Sequence, residues 1–215
     1  MGEKMRRCVI LGAAPLQNAQ VAFRKITADD FVICADGGLL IAQKMGIIPD
    51  LLIGDFDSFQ KKLPNNIETL TFSSDKDDTD MMCAVKEGIK RGFTEFILLG
   101  GIGGRLDHTV ANFSILGYLT KKGCRGILLD EQHEISVLSA GAHTILGEIG
   151  QTISLFPFGS FSCTVSCEHL LYPLKGTTLF IDGREGPMGV SNRLLAEKVE
   201  LFIHKGLVLA ILVRE

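Results

Sequence analysis

The chain has 215 residues, 46% of them hydrophobic and 22% charged, with a net charge of −3 and a pI near 6.0. That length suits one large or two small folded units, two compact halves being the expectation, and the apolar content excludes a disordered chain. The mild negative balance excludes a general attraction to nucleic acid or an anionic membrane surface, so no nucleic-acid partner is expected and phosphate chemistry must rest on local features.

In chain order, Lys4, Arg6 and Arg7 precede the apolar run Cys8-Val9-Ile10-Leu11 as in a secretory leader, but the run stops at Gly12 and reads as a first strand. Arg6 stands where a myristoylation signal following Gly2 needs Ser or Thr. No run approaches the roughly 20 apolar residues that span a bilayer. Further short apolar runs at 31–35, 51–53, 67–72, 96–99 and 126–129 alternate with helical periodicity at 39–45, 80–91 and 107–121. This alternation predicts a mostly parallel sheet. Gly46, Gly92 and Gly123 stand where each helix should close. After about residue 133 only strand-like runs follow, at 134–138, 151–156, 161–166, 177–181 and 198–215, the last with a hairpin turn at His204-Lys205-Gly206. The expected architecture is therefore α/β: an N-terminal domain with a mostly parallel sheet over 1–130, followed by an all-β sandwich over 131–215. The six cysteines include no CxxC pair, and Cys163 and Cys167 have no second pair to complete a zinc site, so reduced thiols in a cytoplasmic protein are expected.

The chemistry-bearing residues follow the expected strands. They are Asp36-Gly37-Gly38, Asp55-Phe56-Asp57-Ser58, Asp75-Lys76-Asp77-Asp78-Thr79-Asp80 and the stretch from Gly100 to His108. In an open parallel sheet these loops converge at the carboxyl ends of the strands, where ligands bind. In an extended segment Asp55 and Asp57 point to one side, which suits Mg²⁺, a cation that combines one or two carboxylates with water and phosphate oxygens. The plainer alternative for this stretch is a solvated turn. Asp78 or Thr79 can serve as a helix cap, but four aspartates in six positions exceed what a cap needs, and Asp80 is assigned as a third metal carboxylate. Gly100, Gly101, Gly103 and Gly104 precede a helix start where backbone N–H groups bind phosphate, and Arg105 can grip its oxygens. The loop matches neither Walker A nor GxGxxG. His108 suits either a helix-start hydrogen bond or a ligand contact.

Taken in order, Ala35-Asp36-Gly37-Gly38, Pro49-Asp50 with Gly54-Asp55-Phe56-Asp57-Ser58, Asp75-Lys76-Asp77 with Thr79-Asp80, Gly104-Arg105-Leu106-Asp107-His108 with Asn112, and Ser191-Asn192 resemble the thiamine pyrophosphokinase family over nearly the whole chain. The resemblance implies a Rossmann-like α/β domain followed by a β-sandwich, paired in a homodimer with active sites between subunits. It implies an ATP- and Mg²⁺-dependent kinase, a transferase that moves the pyrophosphoryl group of ATP to thiamine, giving thiamine diphosphate and AMP. Carried over, Asp55, Asp57 and Asp80 hold Mg²⁺, and Asp36 and Asp107 complete the acidic site. Gly37, Gly38, Lys76, Thr79, Gly104, Arg105, His108 and Asn112 serve the nucleotide, and Ser191 and Asn192 contact thiamine. The chain departs from some relatives in having no tryptophan to stack on thiamine, and Arg193 follows Asn192 where many bacterial relatives carry an acid. Two other readings of the carboxylates are an aspartate-dependent phosphohydrolase and a non-catalytic thiamine or nucleotide sensor.

Overall fold

Cys8, Val9, Ile10 and Leu11 are fully buried on both faces of the strand they form, as befits the middle of a parallel sheet. In this computed structural model, which describes residues 7–16, 18, 25–56, 64, 66–72, 78–183 and 186–214, that strand is β1 (Arg7–Leu11). It pairs in parallel with β2 (Phe31–Ala35) on one side and β5 (Glu95–Leu99) on the other. The sheet continues through β3 (Leu51–Gly54) and β4 (Glu68–Thr71) beyond β2, and through β6 (Arg125–Leu129) beyond β5. The strand order is thus β6-β5-β1-β2-β3-β4, all parallel, with the winding direction reversing between β1 and β5. β4, with the polar sequence Glu-Thr-Leu-Thr, has no fully buried residue, which suits its place on the edge.

Helices cover both faces. Val9, Leu11, Val32, Cys34 and Leu52 cluster with Leu39 and Ala42 of α1 (Gly38–Met45). From the alternate residues, Cys8 and Phe96 face Gly88 of α2 (Asp80–Lys90); a Cβ on Gly88 would lie 2.6 Å from the Phe96 ring and 3.3 Å from the Cys8 sulfur. Met81, Ala84, Val85 and Gly88 form the buried stripe of α2 at helical spacing. Similarly, Leu116 and Leu119 of α3 (Leu106–Lys121) pack over Gly126. Each such side chain contributes about 1.5–3 kcal/mol through burial. The glycines expected to close the helices adopt the left-handed conformation, with φ of 67° at Gly46, 85° at Gly92 and 73° at Gly123.

The chain divides into two compact units, Met1–Glu131 and Gln132–Glu215. Among the described residues of the second, all regular structure is strand. β12 (Asn192–Arg193), β9 (Thr152–Phe158), β14 (Leu207–Val213) and β7 (His133–Leu138) pair antiparallel in that order. β11 (Leu174–Phe180), β10 (Ser162–Cys167), β13 (Lys198–Lys205) and β8 (Gly141–Leu146) form a separate antiparallel sheet. The hairpin expected around His204-Lys205-Gly206 is not formed. β13 pairs with β10 and β8 and β14 with β7 and β9, so the chain passes from one sheet to the other at Gly206. Both strands send their apolar residues, Val199, Leu201 and Ile203 from one and Val208, Ala210 and Leu212 from the other, into a single shared core. Cys163 and Cys167 lie in that core as free thiols.

Candidate functional site

At the carboxyl end of β2 the chain turns at Asp36, whose φ is 43° and whose N–H donates to the Ile53 carbonyl at 2.7 Å. The end of β3 presses against it. A Cβ on Gly54 would lie 3.1 Å from the Asp36 Cα and 3.3 Å from its Cβ. Asp55 follows, half-buried, and then Phe56 at φ 54° and 8% exposed, its ring within the core cluster. A bulky residue at positive φ is an outlier that costs of order 1–3 kcal/mol and persists only where its surroundings dictate it. The extended geometry expected to point Asp55 and Asp57 to one side is therefore absent at Phe56.

β1 and β5 end side by side where the winding reverses, the place at which open parallel sheets leave a crevice. Gly12 N–H donates to Leu99 O at 2.7 Å and Ala14 N–H to Gly100 O at 2.8 Å. A Cβ on Gly12 would meet the Gly100 oxygen at 2.6 Å, and one on Gly100 the Gly12 oxygen at 2.5 Å. Gly37 sits over Ala13, a Cβ there falling 2.9 Å from the Ala13 methyl carbon, and Gly38, which opens α1, lies against the Leu11 carbonyl. The Met81 side chain reaches the same point at Gly12, and α2 packs across β1, β2 and β3. Asp36, Gly37, Gly38, Asp55, Gly104 and the start of α2 thus share one end of the sheet. The loop 12–15 joins them, although no motif marks it.

Thr79 is the N-cap of α2, its hydroxyl oxygen accepting from Met82 N–H at 3.2 Å. Asp80 follows in the first turn, half-buried. Asp78 pairs instead with Lys86 at 2.5 Å, an exposed bridge of small energetic weight.

The glycine loop bends sharply, with φ of 63° at Gly100, 91° at Gly103 and 64° at Gly104. Arg105 occupies the N-cap position of α3 and Asp107 its first turn, and the two side chains pair twice: Nε with Oδ1 at 3.1 Å and a terminal nitrogen with Oδ2 at 2.5 Å. The Arg105 hydrogen bonds hold the Asp107 carboxyl down to about 2, helped by the donating His108 N–H at 3.0 Å. His108 takes part through its backbone. Asn112 is buried and donates its amide to the Gly101 carbonyl at 2.7 Å, so its side chain fixes the loop. Thr109, which carries no motif, is buried beside it and bonds both Gly103 and Arg105.

In the second unit, Ser191 is exposed at φ 57° and its N–H donates to the buried Ser154 hydroxyl at 3.1 Å. Asn192 is buried, its carbonyl oxygen accepting from Tyr172 N–H at 3.0 Å and Arg193 N–H at 2.9 Å while its amide donates to Tyr172 O at 2.7 Å. Asn192 anchors the turn and Ser191 is presented outward. Beside them Tyr172, Met188 and Val190 are exposed.

Asp57, Ser58, Asp75, Lys76 and Asp77 lie outside the described residues. Among the described residues no three His, Cys, Asp or Glu side chains are grouped to hold a metal. Asp55 and Asp80 nonetheless offer hard carboxylate oxygens from two elements at one end of the sheet, and Mg²⁺ takes one or two such ligands, so the donor chemistry fits.

Residues 23–128 match the family described as thiamin pyrophosphokinase, catalytic domain. Thiamine pyrophosphokinase of Bacillus subtilis (strain 168) is 26% identical over 185 residues, covering 83% of this chain and 85% of its own length. Thiamine pyrophosphokinase 1 of Oryza sativa subsp. japonica is 27% identical over 212 residues, covering 85% and 78%. The fold is that of the crystal structure of thiamine pyrophosphokinase from Bacillus subtilis, with a TM-score of 0.85 at 22% identity over 98% of this chain and 100% of that one.

Proposed function

We propose that this chain, whose residues 23–128 belong to the thiamin pyrophosphokinase catalytic-domain family, moves the pyrophosphoryl group of ATP to the hydroxyl of thiamine, giving thiamine diphosphate and AMP. The observation that carries the reading is the position of that match: it covers the Asp36 turn, Asp55, the start of α2 and the glycine loop, which share one end of the parallel sheet. The first unit is read as a Rossmann-like nucleotide- and metal-binding domain and the second as a β-sandwich that binds thiamine. The parallel strand order supports the former, and the core shared by two antiparallel sheets supports the latter.

Thiamine attacks the β-phosphorus in line, AMP leaves, and no covalent enzyme intermediate forms. Positioning and charge neutralisation carry such a reaction. Arg105 and the N–H groups of the glycine loop hold the phosphate chain, with Gly37 and Gly38 against the nucleotide and Lys76 near the reacting phosphates. Asp55, Asp57 and Asp80 would hold Mg²⁺, which supplies charge neutralisation at phosphate oxygens when bound. Asp36, against which Gly54 packs, and Asp107 complete the acidic site, one carboxylate of which accepts the hydroxyl proton. Ser191 contacts thiamine, with Asn192 beneath it. The family resemblance supports a homodimer with active sites between subunits. Six free cysteines support a reducing, cytoplasmic setting, and no described helix is long and apolar enough to cross a membrane.

A phosphorus NMR time course with thiamine, ATP and Mg²⁺ tests the reaction. AMP and thiamine diphosphate rising together is the expected result. ADP with thiamine monophosphate, release of free phosphate, or an unchanged spectrum would each overturn it, the last two in favour of a phosphohydrolase and a binding protein respectively.

A further inference from the structure

Among the described residues the buried polar side chains are Thr109, Asn112, Ser154 and Asn192, and each bonds backbone: Thr109 and Asn112 that of residues 101–105, Ser154 that of Ser191, and Asn192 that of Tyr172 and Arg193. Ser154 and Asn192 hold the Ser191 turn, while Thr109 and Asn112 hold the glycine loop. A buried hydroxyl needs partners, and Thr109 finds both within three residues of chain. Its oxygen accepts from Gly103 N–H at 3.2 Å and donates to Arg105 O at 3.4 Å, while its own backbone N–H also donates to Arg105 O at 3.2 Å. Between the bonded groups lie two left-handed glycines. Among the described residues packing does little to hold them: around the Cβ position of Gly103 none comes within 4 Å, and around that of Gly104 only a Pro15 carbon does, at 3.8 Å. Glycine has the greatest backbone freedom to lose, so a glycine pair without packing is ordered by its hydrogen bonds.

We infer that Thr109 is a positioning residue for the nucleotide: its hydroxyl closes the Gly103–Arg105 bend and so fixes the direction of the loop N–H groups and of Arg105 before ATP arrives. The inference rests on the proposal that this loop and Arg105 grip the phosphates. Without the hydroxyl the competent loop becomes a minor state, and apparent affinity falls by the fraction of molecules that hold it.

The test is steady-state kinetics on the full chain, each substrate varied with the other saturating. Thr109→Val, which keeps the shape and removes the hydroxyl, is expected to raise KM for ATP about tenfold and leave KM for thiamine within about twofold. Thr109→Ser, which restores the hydroxyl, should return KM for ATP to within about twofold of the parent. Should the valine variant fail to fold, Thr109→Ala removes the same hydroxyl at a helix position that alanine favours, and the same split is expected. Arg105→Gln separates the two levels of the argument. A raised KM for ATP in Arg105→Gln with none in the Thr109 variants refutes the positioning role alone. No rise in either refutes the phosphate-loop reading, and equal rises in both KM values in the Thr109 variants mean a structural role only.

Discussion

Replacing Asn192 by alanine tests whether a buried amide anchors the Ser191 turn. The side chain makes three hydrogen bonds to backbone, with Tyr172 N–H, Tyr172 O and Arg193 N–H at 3.0, 2.7 and 2.9 Å. A neutral bond contributes about 0.5–1.5 kcal/mol net, so the three together contribute about 3 kcal/mol at the centre of that range. Tyr172 is 66% exposed, so water takes over part of what its backbone loses, and the expected loss is about 2 kcal/mol. The composition supplies a probe. The chain has two tyrosines and no tryptophan, so in a Tyr118→Phe background Tyr172 alone reports unfolding of its surroundings. With a urea slope of about 2 kcal/mol per molar, the Tyr172 fluorescence midpoint should fall by about 1 M. Asn192→Asp keeps the acceptor but sets a buried carboxylate against the Tyr172 carbonyl, and should lose at least as much. Midpoints within about 0.2 M of the parent in both variants would refute the anchoring argument.

Asp55→Asn should lower turnover at least about 100-fold while the circular dichroism spectrum is unchanged, because a half-buried loop carboxylate contributes charge rather than packing; near-normal turnover at saturating Mg²⁺ would refute its assignment. The Asp107 carboxyl, held down to about 2 by Arg105, is depressed from 3.8, so its contribution is complete above about pH 4 and is lost only as pH falls through about 2. The pH profile of kcat/KM for ATP between pH 5 and 9 should therefore show no inflection that Asp107→Asn removes. Burial raises Cys34 to about 12 and Cys163 and Cys167 to about 11, and Cys8 is raised as well. At pH 7.5 a disulfide reagent should accordingly titrate only the partly exposed Cys83 and Cys124 in native protein, and all six thiols only after unfolding.

The sequence was most legible where burial and periodicity agree. Strands β1 and β5 announce themselves as unbroken apolar runs because they are covered on both faces, and α2 by the spacing of Met81, Ala84, Val85 and Gly88. β8 was missed because Ile145 alone of its six residues is buried, which leaves no alternation to read. The false hairpin at Gly206 has a different cause. Alternation tells which face of a strand is buried, not which strand lies beside it, and β13 and β14 fill the same core from different sheets. At the site, the loops that meet were readable from their positions after strands. The conformation of Phe56 was not, since no residue type signals a positive φ on a phenylalanine. Thr109 and Ser154 escaped for a related reason: a buried hydroxyl in an apolar context looks in sequence like any polar residue on a solvated face.

The meeting of Gly12, Gly38 and Gly100 bears on how this crevice could change over generations. Its floor is main chain against main chain, with carbonyls occupying the volume where a Cβ at Gly12, Gly38 or Gly100 would stand. Single substitutions at those three glycines therefore act by all-or-none damage to the strand ends and cannot grade its chemistry. Drift toward another nucleotide is thereby channelled to the rim, through Arg105, His108 and the loop 12–15.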